Sequence, residues 1–321
     1  MKTKQKALRS DKPLGQRIAA DMRKHWILYL MLLPAIVYYI IFMYGPMYGA
    51  IIAFEQYKPN LGIWGSRWVG LKHFTNFMTN PYFWSLLKNT VWISVSTLIF
   101  GFPAPILLAL LINELKSKSF ARVTQTITYM PHFISLVVIC GMIKNFTLDT
   151  GVVNNFLSII SGGSWTPVTM LSNPKYFVPI YVISDIWQGI GWGSIIYLSA
   201  LAGIDQQLYE AATIDGAGRW RQTLHVTIPG IMPMIIIMLV LRMGSMLSVG
   251  YEKIILLDND GIRSVSDVIS TYVYRRGIKG EGGTGQWSYT TAVGLFNAVI
   301  NFVLIVTSNK FSRSLTETSL W

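Results

Sequence analysis

The stretch WILYLMLLPAIVYYIIFMYGPMYGAIIAF, Trp26 to Phe54, runs for 29 residues without a charged side chain. Crossing about 30 Å of hydrocarbon as a helix takes about 20 mostly apolar residues, so this run is long enough to span a bilayer. The segment before it, MKTKQKALRSDKPLGQRIAADMRKH, carries eight Lys and Arg residues, which is also how a secretory signal begins. A signal's apolar region is only about 7–15 residues long, so the run is read as an uncleaved first span and MYGA as a superficial cleavage lookalike.

Composition agrees with lipid as the solvent. Of 321 residues, 52% are hydrophobic and only 13% charged. The formal charge of +12 would suggest nucleic acid in a water-soluble chain. In a membrane chain it follows from the concentration of Lys and Arg in cytoplasmic segments, and nucleic acid is set aside. The single cysteine, Cys140, excludes an intrachain disulfide, and no Cys/His cluster has metal-ligand spacing.

Five further apolar runs follow, giving expected spans at 27–54, 89–112, 123–146, 177–203, 231–250 and 288–309. The expected fold is all-α and integral to the membrane, with six transmembrane helices. A basic tail (1–25) precedes a transmembrane domain (26–310), and a short tail (311–321) closes the chain. Six crossings put both termini on one side. With the N-terminus inside, cytoplasmic segments hold fifteen Lys and Arg at higher density than the longer outer segments, which favours cytoplasmic termini. Proline and glycine interrupt several spans, as in LLPAIVYY, GFPAPILL, MPHFISL and PGIMPM. Such breaks survive in lipid where neighbouring helices or a water-lined cavity satisfy the freed backbone groups, and they favour a transport path over a passive anchor.

Between the fourth and fifth spans, in a loop at 204–230, the chain turns polar: YEAATIDGAGRWRQTLHVTIPG, residues 209–230. Ala211 and Ala212 are strong helix formers and Asp205 can cap a start before Gln206. Gly216 should bend the chain. Trp220, Leu224 and Ile228 then repeat at four-residue spacing until Pro229 and Pro233 break the pattern. Two short helices are expected, lying along the membrane surface. Small residues with two acids make a poor anchor for anionic headgroups but suit docking into a groove of another protein.

The block EAATIDGAGRWRQTLHVTIP resembles the EAA signature of ABC importer permeases, through Glu210, Ala211, Ala212, Asp215, Gly216, Ala217 and the closing Ile228 and Pro229. WVGLKHF, TYMPHFIS and SYTTAVGLFNAVINFVLIVTSN are similar to sugar permeases of the maltose-type class, and more narrowly to the branch taking oligosaccharides or polysaccharide fragments, whose chains often end in an aromatic residue as Trp321 does. The resemblance implies that the loop, with Trp220, is a cytoplasmic coupling helix that docks in a cleft of a separate ATPase. It also implies a second homologous permease, two ATPase subunits and an extracytoplasmic solute-binding protein in a bacterial inner membrane. ATP and Mg²⁺ would be bound by the ATPase alone. This chain has no GxxxxGK[ST] sequence, and its glycine cluster GIKGEGGTGQW (277–287) lacks the Lys-Ser/Thr pair that would hold phosphate. No catalytic residue, cofactor or metal site is expected.

Charges within spans point to function by default. Asp185 and Arg242 each sit eight residues into their expected spans, about 12 Å deep, and equal depth on consecutive helices allows them to pair. The span SDIWQGIGWGSIIYLSA adds Trp187, Gln188 and Trp192, flat rings and an amide of the kind that hold sugars, although tryptophan is also common at membrane interfaces. Asn297 is a further candidate for the substrate path. The alternatives are an ion-coupled secondary sugar carrier and a membrane enzyme acting on lipid-linked sugars. A carrier needs intramembrane acids, and this chain offers Asp185 alone. An enzyme needs paired carboxylates or a metal, and the outer DND stretch reads as a solvated turn.

Overall fold

The computed structural model describes residues 15, 21–281, 283 and 286–316. Trp321, most of the basic tail and part of the 277–287 glycine cluster lie outside the described residues. The described residues are mostly helical, with one two-residue antiparallel pairing among them, of Glu55–Gln56 with Arg67–Trp68. Among the described residues, four helices are long and apolar enough to cross a membrane: Trp26–Phe54, Phe83–Asn113, Arg219–Gly244 and Trp287–Ser314. A bent pair, Lys118–Phe133 and Leu136–Phe146, makes a fifth if its two legs count as one crossing.

The expected continuous helix over 123–146 is therefore corrected to two legs at 98°. Pro131 opens a tight turn over Met130–Phe133, and Ile134 and Ser135 are both extended, with ψ near 135°. Two successive extended residues redirect the chain far more than a proline kink alone does.

The expected span at 177–203 corresponds to the 29-residue helix Pro174–Ala202, with Gly203 as the residue that caps its end. It is long enough to cross, but Asp185, Gln188 and three glycines lower its hydropathy below that of the other four. Its neighbours explain why lipid does not dictate its composition: it is packed between Phe83–Asn113, the Lys118–Phe133 leg and Arg219–Gly244. At Gly191 an added Cβ would fall 2.1 Å from the Thr128 carbonyl oxygen, and at Gly193 3.0 Å from the Pro105 ring. Such close approach is how helices associate in membranes, where small residues let backbones meet.

The fifth expected span, 231–250, is displaced. The helix starts at Arg219 and stops at Gly244, and residues 245–250 run without regular structure. Gly244 is pressed against Ile305, where an added Cβ would meet the Ile305 side chain at 2.7 Å. Ile305 lies about 27 Å along its own helix from Trp287, so the break falls well inside the bundle. The backbone groups released there are taken up by another helix. Asn301 Oδ1 accepts from the Leu247 N–H at 3.0 Å, Asn301 Nδ2 donates to Ser248 Oγ at 3.0 Å, and Asn297 Nδ2 donates to the Leu247 carbonyl at 3.4 Å. Irregular backbone at that depth needs such partners.

Two packed regions brace these helices. Phe77, Phe83, Tyr272 and Val293 form an aromatic-rich cluster in which Tyr272 and Tyr289 share a hydrogen bond at 3.1 Å. Burial, with the Tyr289 bond behind it, pushes the Tyr272 phenol up. Asn154, fully buried, ties residues 147–168 together: its amide donates to the Leu148 and Val168 carbonyls, and its oxygen accepts from Trp165 Nε1 and the Val168 N–H. The first helix differs from the rest. Its most apolar window buries no residue, and only its end at Tyr48–Phe54 packs on the Trp287–Thr316 helix.

Candidate functional site

Two features stand apart from simple packing, and the same two helices join them. The first is the turn between Ala202 and Arg219. Asp205 caps the helix Gln206–Ile214, its side chain accepting from the Gln207 N–H at 3.0 Å. Gly216 takes φ +74°, a conformation that disfavours any residue with a Cβ. The Ala217 N–H then closes back on the Ala212 carbonyl at 2.8 Å, which satisfies a helix-end acceptor. Gln222 Nε2 donates to Thr213 Oγ1 and to the Ala217 carbonyl, both at 3.0 Å, and Tyr209 meets Thr227 at 3.0 Å. Arg219 pairs with Glu114, at the end of another long helix, at 3.6 Å. The turn is thus braced from three sides.

Its outer surface carries unpartnered apolar groups: Ile214 is 86% exposed and Trp220 81%. Glu210, Ala211 and Asp215 are exposed beside them, while Ala212 and Ala217 are half-buried.

Beyond the turn, the expectation of two short surface helices is corrected. The second, Arg219–Gln222, runs straight on into the long helix ending at Gly244. Pro229 does not break it, because the turn Thr223–Thr227 is π-helical and Pro229 falls at the start of the α-helical segment after it. In that register the N–H that proline lacks is not called upon, and the helix continues through Pro233 as well.

The second feature is a cavity of about 390 Å³ in the middle of the bundle, with an adjoining one of about 280 Å³. Asp185, Thr97 and Arg242 line both, and Gln188, Glu252 and Lys253 face the larger. Asp185 does not pair with Arg242. Its partner is Lys253, at 3.5 Å, on the short helix Tyr251–Leu257. That lysine is buried, donates to the Tyr181 carbonyl at 3.3 Å, and stands 4.8 Å over the Tyr181 ring. Equal depth for Asp185 and Arg242 would require the fifth span to continue to residue 250. The break at Gly244 instead lets the following segment fold inward and bring a closer cation.

Lys253 escaped the sequence reading because it sits in a charged stretch between two apolar runs, EKIILLDND. The available signal was helical spacing: Lys253 shares a face with Ile254 and Leu257, both buried.

The other candidates lie elsewhere. Trp187 and Trp192 are 44% and 49% exposed. Trp192 stacks on His132 with rings 4.6 Å apart and 2° from parallel, fastening the bend at Pro131 to the Pro174–Ala202 helix. Asn297 contacts the Leu247 backbone, as above, and is not part of either cavity's lining.

Comparison with known proteins extends the description. A family model described as "Binding-protein-dependent transport system inner membrane component" matches residues 101–316. Protein LplB of Bacillus subtilis is 43% identical over 305 residues, covering 95% of this chain and 93% of that protein. The "Polygalacturonan/rhamnogalacturonan transport system permease protein YteP" of the same organism is 41% identical, covering 95% and 94%. Among solved structures, a crystal structure of a bacterial ABC transporter "involved in the import of the acidic polysaccharide alginate" superposes with a TM-score of 0.83 at 43% identity, over 94% of this chain and 99% of that one. A second, of the bacterial alginate ABC transporter in complex with alginate pentasaccharide-bound periplasmic protein, gives 0.84 at 43% identity, over 95% and 100%.

Proposed function

This chain belongs to the binding-protein-dependent transport system inner membrane components and is a permease subunit of an ABC carbohydrate importer, and on that premise we propose that it moves oligosaccharide or polysaccharide fragments by relaying the stroke of a separate ATPase. The observation that carries the relay is the continuity of helix Arg219–Gly244. Trp220 stands at one end, naked beside the braced turn. Arg242 stands at the other, on the cavity wall, about 33 Å away at 1.5 Å per residue. The helix on the other side of the turn, Pro174–Ala202, carries Asp185 to the same cavity. Displacing the turn therefore moves both cavity walls.

In this reading the bundle has six crossings, with Pro174–Ala202 as the fourth and the bent pair as the third. Both termini and the turn face the cytoplasm. The turn is the coupling helix: Ala211, Ala212 and Ala217 allow close approach to a cleft, Ile214 and Trp220 fill its apolar floor, and Glu210 and Asp215 set register. Two ATPase subunits supply hydrolysis and hold ATP and Mg²⁺, a second homologous permease completes the path, and an extracytoplasmic binding protein delivers cargo.

Cysteine at Ala212 should crosslink to the ATPase in the assembled complex. Trp220→Ala should cut ATP-driven uptake about tenfold or more, the effect of removing a central aromatic anchor from an interface. Uptake that is indifferent to Trp220→Ala, with no crosslink from position 212, would defeat the relay. Uptake by this chain under an ion gradient without any ATPase would instead establish a secondary carrier.

A further inference from the structure

The two cations at the cavity have different partners. Lys253 is committed to Asp185 and to the Tyr181 carbonyl and ring. Arg242 has no such partner: no ion pair joins its guanidinium to a carboxylate among the described residues, and it lines both cavities. Glu252 faces the larger cavity too, but it forms no ion pair with Arg242, and Asp185 is neutralised from the other side.

The level of Arg242 in the bundle makes this arrangement costly. It stands two residues before Gly244, which packs on Ile305 deep in the Trp287–Thr316 helix. A guanidinium there is retained only where it lines a polar cavity or meets an anion. Its position in the last turn of its helix lets it face the negative end of the helix dipole, but that attraction is weaker than the cost of the site. Neutral sugars are held by ring stacking and neutral hydrogen bonds, and a planar five-donor cation is not needed for them. A carboxylate is the group that matches a guanidinium fork, through two parallel charge-assisted hydrogen bonds.

We propose that Arg242 is the carboxylate anchor of the cargo cavity, and that the cargo is an oligosaccharide bearing uronate groups. The proposal rests on the carbohydrate-import reading and narrows its substrate class. Gln188, on the facing wall, supplies an amide for neighbouring hydroxyls. The charged groups facing the larger cavity, Asp185, Lys253, Arg242 and Glu252, sum to no net charge, so the attraction for an acidic sugar is the local one of the unpaired Arg242 fork and not a field of the whole cavity.

The test uses the complete importer, with second permease, ATPases and binding protein, in proteoliposomes. The probes are tetragalacturonate and the same tetrasaccharide with its carboxyl groups reduced to alcohols. Wild type should take up the acidic form in preference. Arg242→Met should lower its uptake about 10- to 100-fold, the worth of a charge-assisted hydrogen-bond pair, and Arg242→Lys should restore part of it. The same variant should change uptake of the reduced form by less than about threefold, so the acid-to-neutral ratio collapses.

Equal losses for both cargoes, full activity of Arg242→Met on the acidic one, or wild-type uptake of the neutral form alone would each overturn the proposal. A complex that carries neither saccharide, and whose ATP hydrolysis responds to no loaded binding protein, would overturn the import reading instead.

Discussion

Separating Asp185 from Lys253 should destabilise the assembled protein unequally, depending on which partner is removed. The bare attraction of two unit charges 3.5 Å apart is about 5 kcal/mol at an effective dielectric constant of about 20. The Asp185 side chain is 40% exposed to the cavity while that of Lys253 is only 5% exposed, so solvent screening brings the net coupling down to about 1–3 kcal/mol. Asp185→Asn strands a buried ammonium with only the Tyr181 carbonyl and ring, and should cost about 3 kcal/mol. Lys253→Met keeps the apolar stem and leaves the carboxylate in reach of cavity water, and should cost about 1–2 kcal/mol. At about 2 °C per kcal/mol for a chain of this size, thermal unfolding of the detergent-purified complex should fall by about 6 °C and about 3 °C respectively. The double variant Asp185→Asn/Lys253→Met should fall by no more than the larger single, because the second substitution removes the charge stranded by the first. The exchange Asp185→Lys/Lys253→Asp should recover part of the loss, whereas Asp185→Arg/Arg242→Asp should recover none. Strict additivity of the singles, or recovery in the exchange at 242, would refute the pairing.

Three substitutions test the packing around the Pro174–Ala202 helix and the 148–168 segment. Gly191→Ala drives a Cβ to within 2.1 Å of the Thr128 carbonyl and should cost about 3 kcal/mol by forcing two backbones apart. Gly189→Ala, two residues away with nothing within 4 Å, should be neutral or slightly stabilising, and the contrast is read by thermal unfolding of the two variants side by side. Asn154→Ala removes four hydrogen bonds from one buried amide and should cost about 2–4 kcal/mol. The loss should appear first as faster proteolysis between residues 161 and 168, before global unfolding.

The long apolar helices were legible because their signal is local: length and the absence of charge are properties of a single stretch. The helix start at Asp205 and the reversal at Gly216 were legible for the same reason, since a cap and a positive φ depend on a few adjacent residues. What escaped was set by distant partners. The run RMGSMLSVG is apolar enough to read as helix to residue 250, yet it ends at Gly244 because Ile305 crowds it and because Asn301, 54 residues beyond Leu247, offers the hydrogen bonds that an unwound backbone needs. The bend in the third run was half legible. Pro131 was visible, but the 98° turn comes from two extended residues after it and from the Trp192–His132 stack that fixes one leg. Asp185 and Arg242 line the same two cavities, and the misassigned pairing followed from a span boundary placed six residues too far.

That boundary also bears on how motion reaches the cavity. A helix relays displacement along its axis only while its hydrogen bonds run unbroken, and a proline inside it would ordinarily open a hinge at the preceding turn. Here the widened turn Thr223–Thr227 accommodates Pro229, with Thr227 buried and hydrogen-bonded to Tyr209 from the far side of the loop. The compliant point lies instead at the other end, where Gly244 releases the chain into the irregular segment 245–250 and then the helix bearing Lys253. A push on the turn therefore moves both helices that flank it, Arg242 travelling with one and Asp185 with the other, and the irregular segment after Gly244 lets Lys253 follow Asp185. The distance between the cavity's unpaired cation and its ion pair is the coordinate that such a push changes. A lengthening of that distance on ATP binding, measured between spin labels at the exposed Leu241 on the Arg242 helix and the exposed Ile183 on the Asp185 helix, would tie the turn to the cavity. An unchanged distance, with uptake intact, would detach them.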